Sequence, residues 1–225
     1  MIQLAWLIPV FPLVGFLITS LGGKKMPKSV SGALASLMVL ASFVVTIAIF
    51  TQFDGQPVTL DLFNWISSGT LAIPFSFMID QLSLIMLLII TGVGFLIHLY
   101  SIGYMHSDEA FTRFFSYLNL FIFFMLLLVM GSNYIVMFAG WEGVGLCSYL
   151  LIGFWFKNPE YNKAANKAFI MNRIGDLGFL LGIILIYMTF GTTSFNIIFP
   201  SAGAFPTDQP VIIAITMLLF IGAMG

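Results

Sequence analysis

Runs of about twenty apolar residues, nearly free of charge, recur along the whole of this chain. A bilayer core of roughly 30 Å is crossed by a helix of about 20 apolar residues. In lipid the backbone must satisfy its own polar groups, so only helices or closed barrels span. Barrel strands are short and alternate polar with apolar residues, unlike these continuous runs. The sequence therefore predicts an all-α, polytopic transmembrane helix bundle of about seven spans. They run from Ile2 to Leu21, Val30 to Thr51, Phe77 to Tyr100, Phe114 to Met130, Tyr134 to Phe156, Ala164 to Phe190, and Val211 to the end. Pro9 and Pro12 fall inside the first span, where each is expected to kink or loosen it.

Composition agrees: 60% of the residues are hydrophobic and 8% charged, whereas a soluble domain has about a quarter charged. The few basic residues are asymmetrically placed. Lys24, Lys25 and Lys28 lie between the first two spans, Arg113 before the fourth, and Lys157, Lys163 and Lys167 before or at the start of the sixth. With seven spans these all fall on one side, and the opposite loops hold no Lys or Arg. The positive-inside rule makes the basic side cytoplasmic and places the N-terminus outside. MIQLAW lacks the basic start of a leader, so the first run is read as a retained helix.

The segment 52–76 is longer than a simple connection. Its V-T-L-D-L-F-N-W-I alternates, and turn signals at Ser67, Ser68 and Gly69 precede a second apolar stretch, which predicts a short external hairpin. The external stretch 191–210 is rich in Gly, Ser, Thr and Pro and is expected to be irregular. The last run, Val211 to Gly225, is short of a full span and ends without a polar flank, as expected of a truncated product or fragment.

Charge at membrane depth costs roughly 2.5–3.5 kcal/mol per group on the insertion scale, so such groups are candidates for function. Glu142 lies in the fifth span, Arg173 and Asp176 in the sixth. Helical spacing puts Phe138, Gly145, Leu146 and Tyr149 on the face of Glu142. Gly140, Gly143 and Gly145 allow another helix or water to come close. Glu142 is read as part of a proton path, against the plainer reading of a buried acid pinning two helices. Arg173 and Asp176, three residues apart, are expected to pair, with or without an influence on Glu142. His98, near the cytoplasmic end of the third span, is either a proton relay or a polar bond between helices, and the second reading is preferred. His106, Asp108 and Glu109 are expected to be solvated in a loop, and Asp80 to open a helix.

A net charge of −1 offers no basic footprint for nucleic acid. Cys147 stands alone and the histidines number two, too few for a thiolate cluster or an imidazole-held metal. No cofactor is expected on this chain. The pairs Gly92–Gly94 and Gly143–Gly145 lack the strand and basic residue of a phosphate loop and read as packing glycines.

The block W-E-G-V-G-L-C-S-Y-L-L-I-G-F-W at Trp141 to Trp155 resembles the signature of an antiporter-like membrane subunit of proton-pumping NADH:quinone oxidoreductase, respiratory complex I. That family comprises bacterial subunit L, mitochondrial chain 5 and their plastid counterpart. The third span from Phe77 to His106 and N-R-I-G-D-L-G at Asn172 to Gly178 resemble it as well, and the likeness extends from Met1 to Gly225.

The resemblance implies that Glu142 matches an acid of a proton half-channel, coupled to a lysine on the seventh helix that would directly follow Gly225. It implies that Arg173 and Asp176 are the charged residues beside that pair. It also implies a division into 1–112, three helices with the hairpin, and 113–225, the start of the proton-translocating repeat. Flavin and iron–sulfur clusters belong by this reading to partner subunits of the membrane complex. A bacterial plasma membrane is the expected location. Rival readings are a large subunit of an Mrp-type sodium/proton antiporter, which shares the Trp-Glu, and a non-pumping fragment or assembly scaffold.

Overall fold

A computed structural model describes residues 2–68, 71–206 and 208–225. A 3-10 turn at Ile2–Leu4 leads into α1 (Leu7–Gly22), and α2 (Lys28–Phe50) follows. Strands β1 (Val58–Ser68) and β2 (Leu71–Ile79) pair as a two-stranded sheet. Then come α3 (Gln81–Tyr104), α4 (Phe111–Met130), α5 (Tyr134–Ile152), α6 (Pro159–Phe190), the short α7 (Phe195–Ala202) and α8 (Pro210–Met224). Among the described residues, six helices, the first counted from Ile2, are long and apolar enough to cross a membrane; α8 is a shorter apolar helix. The chain is a helical membrane protein. The expected hairpin is present, although its turn residue Gly69 lies outside the described residues.

Several span boundaries differ from expectation by four or five residues, and two of these have a local reason. The third helix starts at Gln81, because β2 continues through Phe77 to Ile79 and Asp80 caps the helix. The Asp80 carboxylate accepts from the Ser83 N–H at 2.7 Å and the Ser83 hydroxyl accepts from the Asp80 N–H at 2.8 Å, a reciprocal capping box. The sixth helix starts at Pro159, five residues early, since the Asn158 side chain accepts from the Glu160 N–H and proline suits the first turn.

The chain divides into two compact units, Met1–Leu60 with Met78–Met130, and Asp61–Phe77 with Gly131–Gly225. This division follows packing, and puts α4 with the first three helices; the 1–112 and 113–225 division follows family blocks, a different criterion.

In the first unit, lipid offers no hydrophobic drive between helices, so close approach of small residues does the work. The buried positions of α2 are Ser31, Gly32, Ala35, Ser36, Val39, Ser42, Thr46 and Ile49, one stripe at helical spacing. Large side chains such as Leu37, Val44 and Ile47 point outward. Buried hydroxyls return to their own helix, as Ser36 to the Gly32 carbonyl and Thr46 to that of Ser42, both at 2.8 Å. Pro12 has no N–H for the carbonyl of Ile8, one turn back, and the Ser42 hydroxyl donates to that oxygen at 2.8 Å. The helix continues through Pro12, and a neighbouring helix compensates what the proline removes.

In the second unit, α6 packs against α5 and α8. A Cβ at Gly178 would stand 2.7 Å from Ile221 Cγ2, and one at Gly222 would stand 2.6 Å from Phe179 Cβ, so both glycines permit the α6–α8 contact. The hairpin is held to the start of α5 by a Ser76–Ser132 hydroxyl contact and by Asn133, whose amide donates to the Pro74 carbonyl at 2.9 Å. Of the stretch expected to be irregular, the part up to Ala202 is regular instead, whereas the described residues between α7 and α8 form neither helix nor strand. Gly191 closes α6 in the left-handed region, backbone bonds join Tyr134 to Thr193 and Phe195 to Ser132, and α7 follows. Phe195 and Ile198, three residues apart, supply the buried face that makes α7 helical.

Candidate functional site

Halfway along α5 the backbone carries Trp141 and Glu142 in succession, so a rotation of about 100° per residue aims their side chains in different directions toward α6. Both meet α6 within one turn. The Arg173 guanidinium bonds Glu142 through Nη1. Its Nη2 stands 3.5 Å from Asp176 Oδ2, the expected three-residue pair. Asp176 is the more enclosed acid, with 6% of its side chain exposed against 28% for Glu142, and Arg173 is the most exposed of the three at 35%. One cation thus faces two carboxylates, and the three groups carry a formal charge of −1.

The surroundings are aromatic. Arg173 Cζ sits 4.9 Å from the centre of the Phe169 ring, a cation–π approach. Tyr149 packs on Phe169 at 5.3 Å. Phe179 stacks on both Trp141, at 5.1 Å, and Phe138, at 5.8 Å. Trp141 Nε1–H donates to Asp176 Oδ1 at 2.8 Å. A Cβ at Gly145 would be 3.5 Å from Arg173 Nη2, an ordinary contact distance, so that glycine leaves room without being a strict requirement. Of the residues expected on the face of Glu142, Phe138, Gly145 and Tyr149 do turn toward α6, while Leu146 is exposed.

The structure brings Glu142, Arg173 and Asp176 together. His98 belongs to the other compact unit and is fully buried there. Its Nδ1–H donates to the Gly94 carbonyl at 2.8 Å, and Nε2 faces the Asn119 amide nitrogen of α4 at 3.4 Å. That amide also donates to the Phe115 carbonyl at 3.1 Å, which fixes its orientation and leaves the lone pair of His98 Nε2 toward it. His98 thus makes a polar bond between α3 and α4. Asp80 opens α3 as expected.

Trp141 was part of the motif yet had no role assigned from sequence. An indole beside an intramembrane acid is a usable signal, because a buried indole N–H needs an acceptor; which acid it would choose is a tertiary matter.

Two family models match the chain. Residues 65–115 match "NADH-Ubiquinone oxidoreductase (complex I), chain 5 N-terminus", and residues 131–225 match "NADH:quinone oxidoreductase/Mrp antiporter, TM". The chain is 44% identical over 222 residues to NADH-quinone oxidoreductase subunit L of Mycobacterium tuberculosis, covering 97% of this chain and 35% of that protein. It thus spans about a third of the length of the curated relative. Its fold is similar to a chain of the Mrp complex from Dietzia sp. DQ12-45-1b, with TM-score 0.83, 20% identity, and coverage of 98% of this chain and 23% of that one. It is similar as well to a chain of respiratory complex I from Thermus thermophilus, with TM-score 0.69, 18% identity, and coverage of 96% and 42%.

Proposed function

We infer the function of this chain from the family to which it belongs, the antiporter-like membrane subunits known as NADH-quinone oxidoreductase subunit L or chain 5. The chain is part of a proton-translocating subunit in the membrane arm of NADH:quinone oxidoreductase. It binds no NADH, flavin, iron–sulfur cluster or quinone itself; redox energy reaches it through neighbouring membrane subunits. Its basic loops face the cytoplasm of a bacterium and its N-terminus faces outward, as the lysine and arginine asymmetry supports.

The observation that carries this reading is the contact of Glu142 with Arg173 at membrane depth, with Asp176 within reach of the same guanidinium. An ionised Glu142 holds the cation. A protonated Glu142 loses most of that attraction, and Arg173 then has a second anion to turn to, so proton occupancy and side-chain position are coupled. The test is Glu142→Gln in the full-length subunit of the assembled complex. NADH-driven proton uptake by inverted membrane vesicles is expected to fall at matched complex content. Unchanged pumping in a correctly assembled complex would remove Glu142 from the path.

A second reading, a large subunit of an Mrp-type sodium/proton antiporter, is favoured by the fold likeness to the Mrp chain. Neighbouring genes separate the two: flavin and iron–sulfur subunits accompany the first, a cluster of small antiporter subunits the second.

A further inference from the structure

We propose that Trp141 is a positioning residue of the charge cluster: its indole N–H occupies Asp176 and so leaves the Arg173 guanidinium to Glu142. The proposal rests on the reading of Glu142 as the proton-exchanging acid.

Asp176 and Glu142 compete for one cation. The enclosed acid has the stronger claim, because charge–charge attraction grows as water is excluded. Yet the geometry runs the other way. Arg173 bonds Glu142 directly and stands off from Asp176 at 3.5 Å. The difference lies in what else each carboxylate receives. Asp176 Oδ1 takes the Trp141 N–H at 2.8 Å, a hydrogen bond to an ionised acceptor and therefore stronger than a neutral pair. An ionised carboxylate accepts several hydrogen bonds, and one good neutral donor lowers its demand for the guanidinium.

The indole is held in place. It stacks on Phe179 at 5.1 Å with the planes 18° apart, and Phe179, itself 5% exposed, stacks on Phe138 from the other direction along α5. Phe179 follows Asp176 by three residues on α6, so the ring that orients the indole and the acid that receives its N–H share one face. Trp141 precedes Glu142 by one residue. The same short piece of α5 therefore supplies both the exchanging acid and the donor that directs the cation toward it.

The test uses the full-length subunit in the assembled complex, comparing Trp141→Phe, Asp176→Asn and the double variant. Trp141→Phe keeps the stack and removes the donor. Its pumping per NADH oxidised is expected to fall to between about a third and a tenth, the effect of one hydrogen bond. In the Asp176→Asn background the competing charge is gone, so Trp141→Phe is expected to cause no further loss. The infrared carboxyl bands of Glu142, assigned by their disappearance in Glu142→Gln, are expected to shift in Trp141→Phe. Normal pumping by Trp141→Phe alongside impaired Glu142→Gln would overturn the proposal, as would losses that multiply in the double variant. Normal pumping by Glu142→Gln would instead sink the reading of Glu142, and the infrared bands then decide the role of Trp141, unshifted bands counting against it. If the phenylalanine variant does not assemble, Trp141→His, which keeps a ring N–H, is expected to pump within about twofold of wild type. A loss as deep as that of Glu142→Gln would overturn the role.

Discussion

Replacing Ser42 by Ala tests how this bundle tolerates a proline inside a spanning helix. The Ile8 carbonyl would ordinarily take the N–H of residue 12, which proline lacks, and the Ser42 hydroxyl supplies a donor at 2.8 Å. Both residues are fully buried. Leaving a buried carbonyl unsatisfied costs about 1–3 kcal/mol, while polar contacts between membrane helices average nearer 0.6 kcal/mol. Ser42 has an alternative acceptor in the Met38 carbonyl at 3.3 Å, so the hydroxyl would not itself go unpaired without Ile8. The loss for Ser42→Ala is thus set by the orphaned Ile8 oxygen, and we expect about 1–2 kcal/mol. Pro12→Ala restores the N–H, and in that background Ser42→Ala is expected to cost less than about 0.5 kcal/mol. Reversible unfolding of the full-length subunit in mixed micelles, run on all four members of the cycle, measures the difference. An equal cost of Ser42→Ala with and without Pro12 would refute the compensation argument.

Two further perturbations address the second unit. Arg173→Gln leaves Glu142 and Asp176 without their shared cation; a 3.5 Å ion pair is worth about 1 kcal/mol in water and about 5 at an effective dielectric of 20, so with Arg173 partly exposed we expect a loss of about 2 kcal/mol. Adding Asp176→Asn is expected to recover about half of it, read by the melting temperature of the detergent-solubilised subunit, and strictly additive losses would contradict the shared-cation geometry. Gly222→Ala places a Cβ 2.6 Å from Phe179 Cβ and is expected to destabilise by about 1–3 kcal/mol; an unchanged melting temperature would show that the α6–α8 contact is looser than described.

The local interactions at the two ends of a helix were partly legible in the residues. Asp80 as a helix opener could be read because capping depends on neighbours three positions away. The alternation in V-T-L-D-L-F-N-W-I announced a strand, yet where the strand yields to α3 depended on the Asp80–Ser83 box, which apolarity alone does not reveal. The stretch after α6 misled because its Gly, Ser, Thr and Pro content masked the spacing of Phe195 and Ile198. Their burial depends on contacts with Tyr134 and with α6 and α8.

By itself the sequence determined that this chain enters lipid as a bundle of helices, because span length and hydropathy answer directly to bilayer thickness and to the cost of an unpaired peptide group. It also singled out the charges that are costly at membrane depth, Glu142, Arg173 and Asp176. The tertiary structure decided who meets whom. Arg173 is joined to Glu142 as well as to its own-helix neighbour, Trp141 goes to Asp176, and Ser42 goes to the carbonyl that Pro12 leaves behind. Those choices depend on the rotation and depth of one helix against another. They arise from packing many small residues at once, and no spacing along a single helix encodes them.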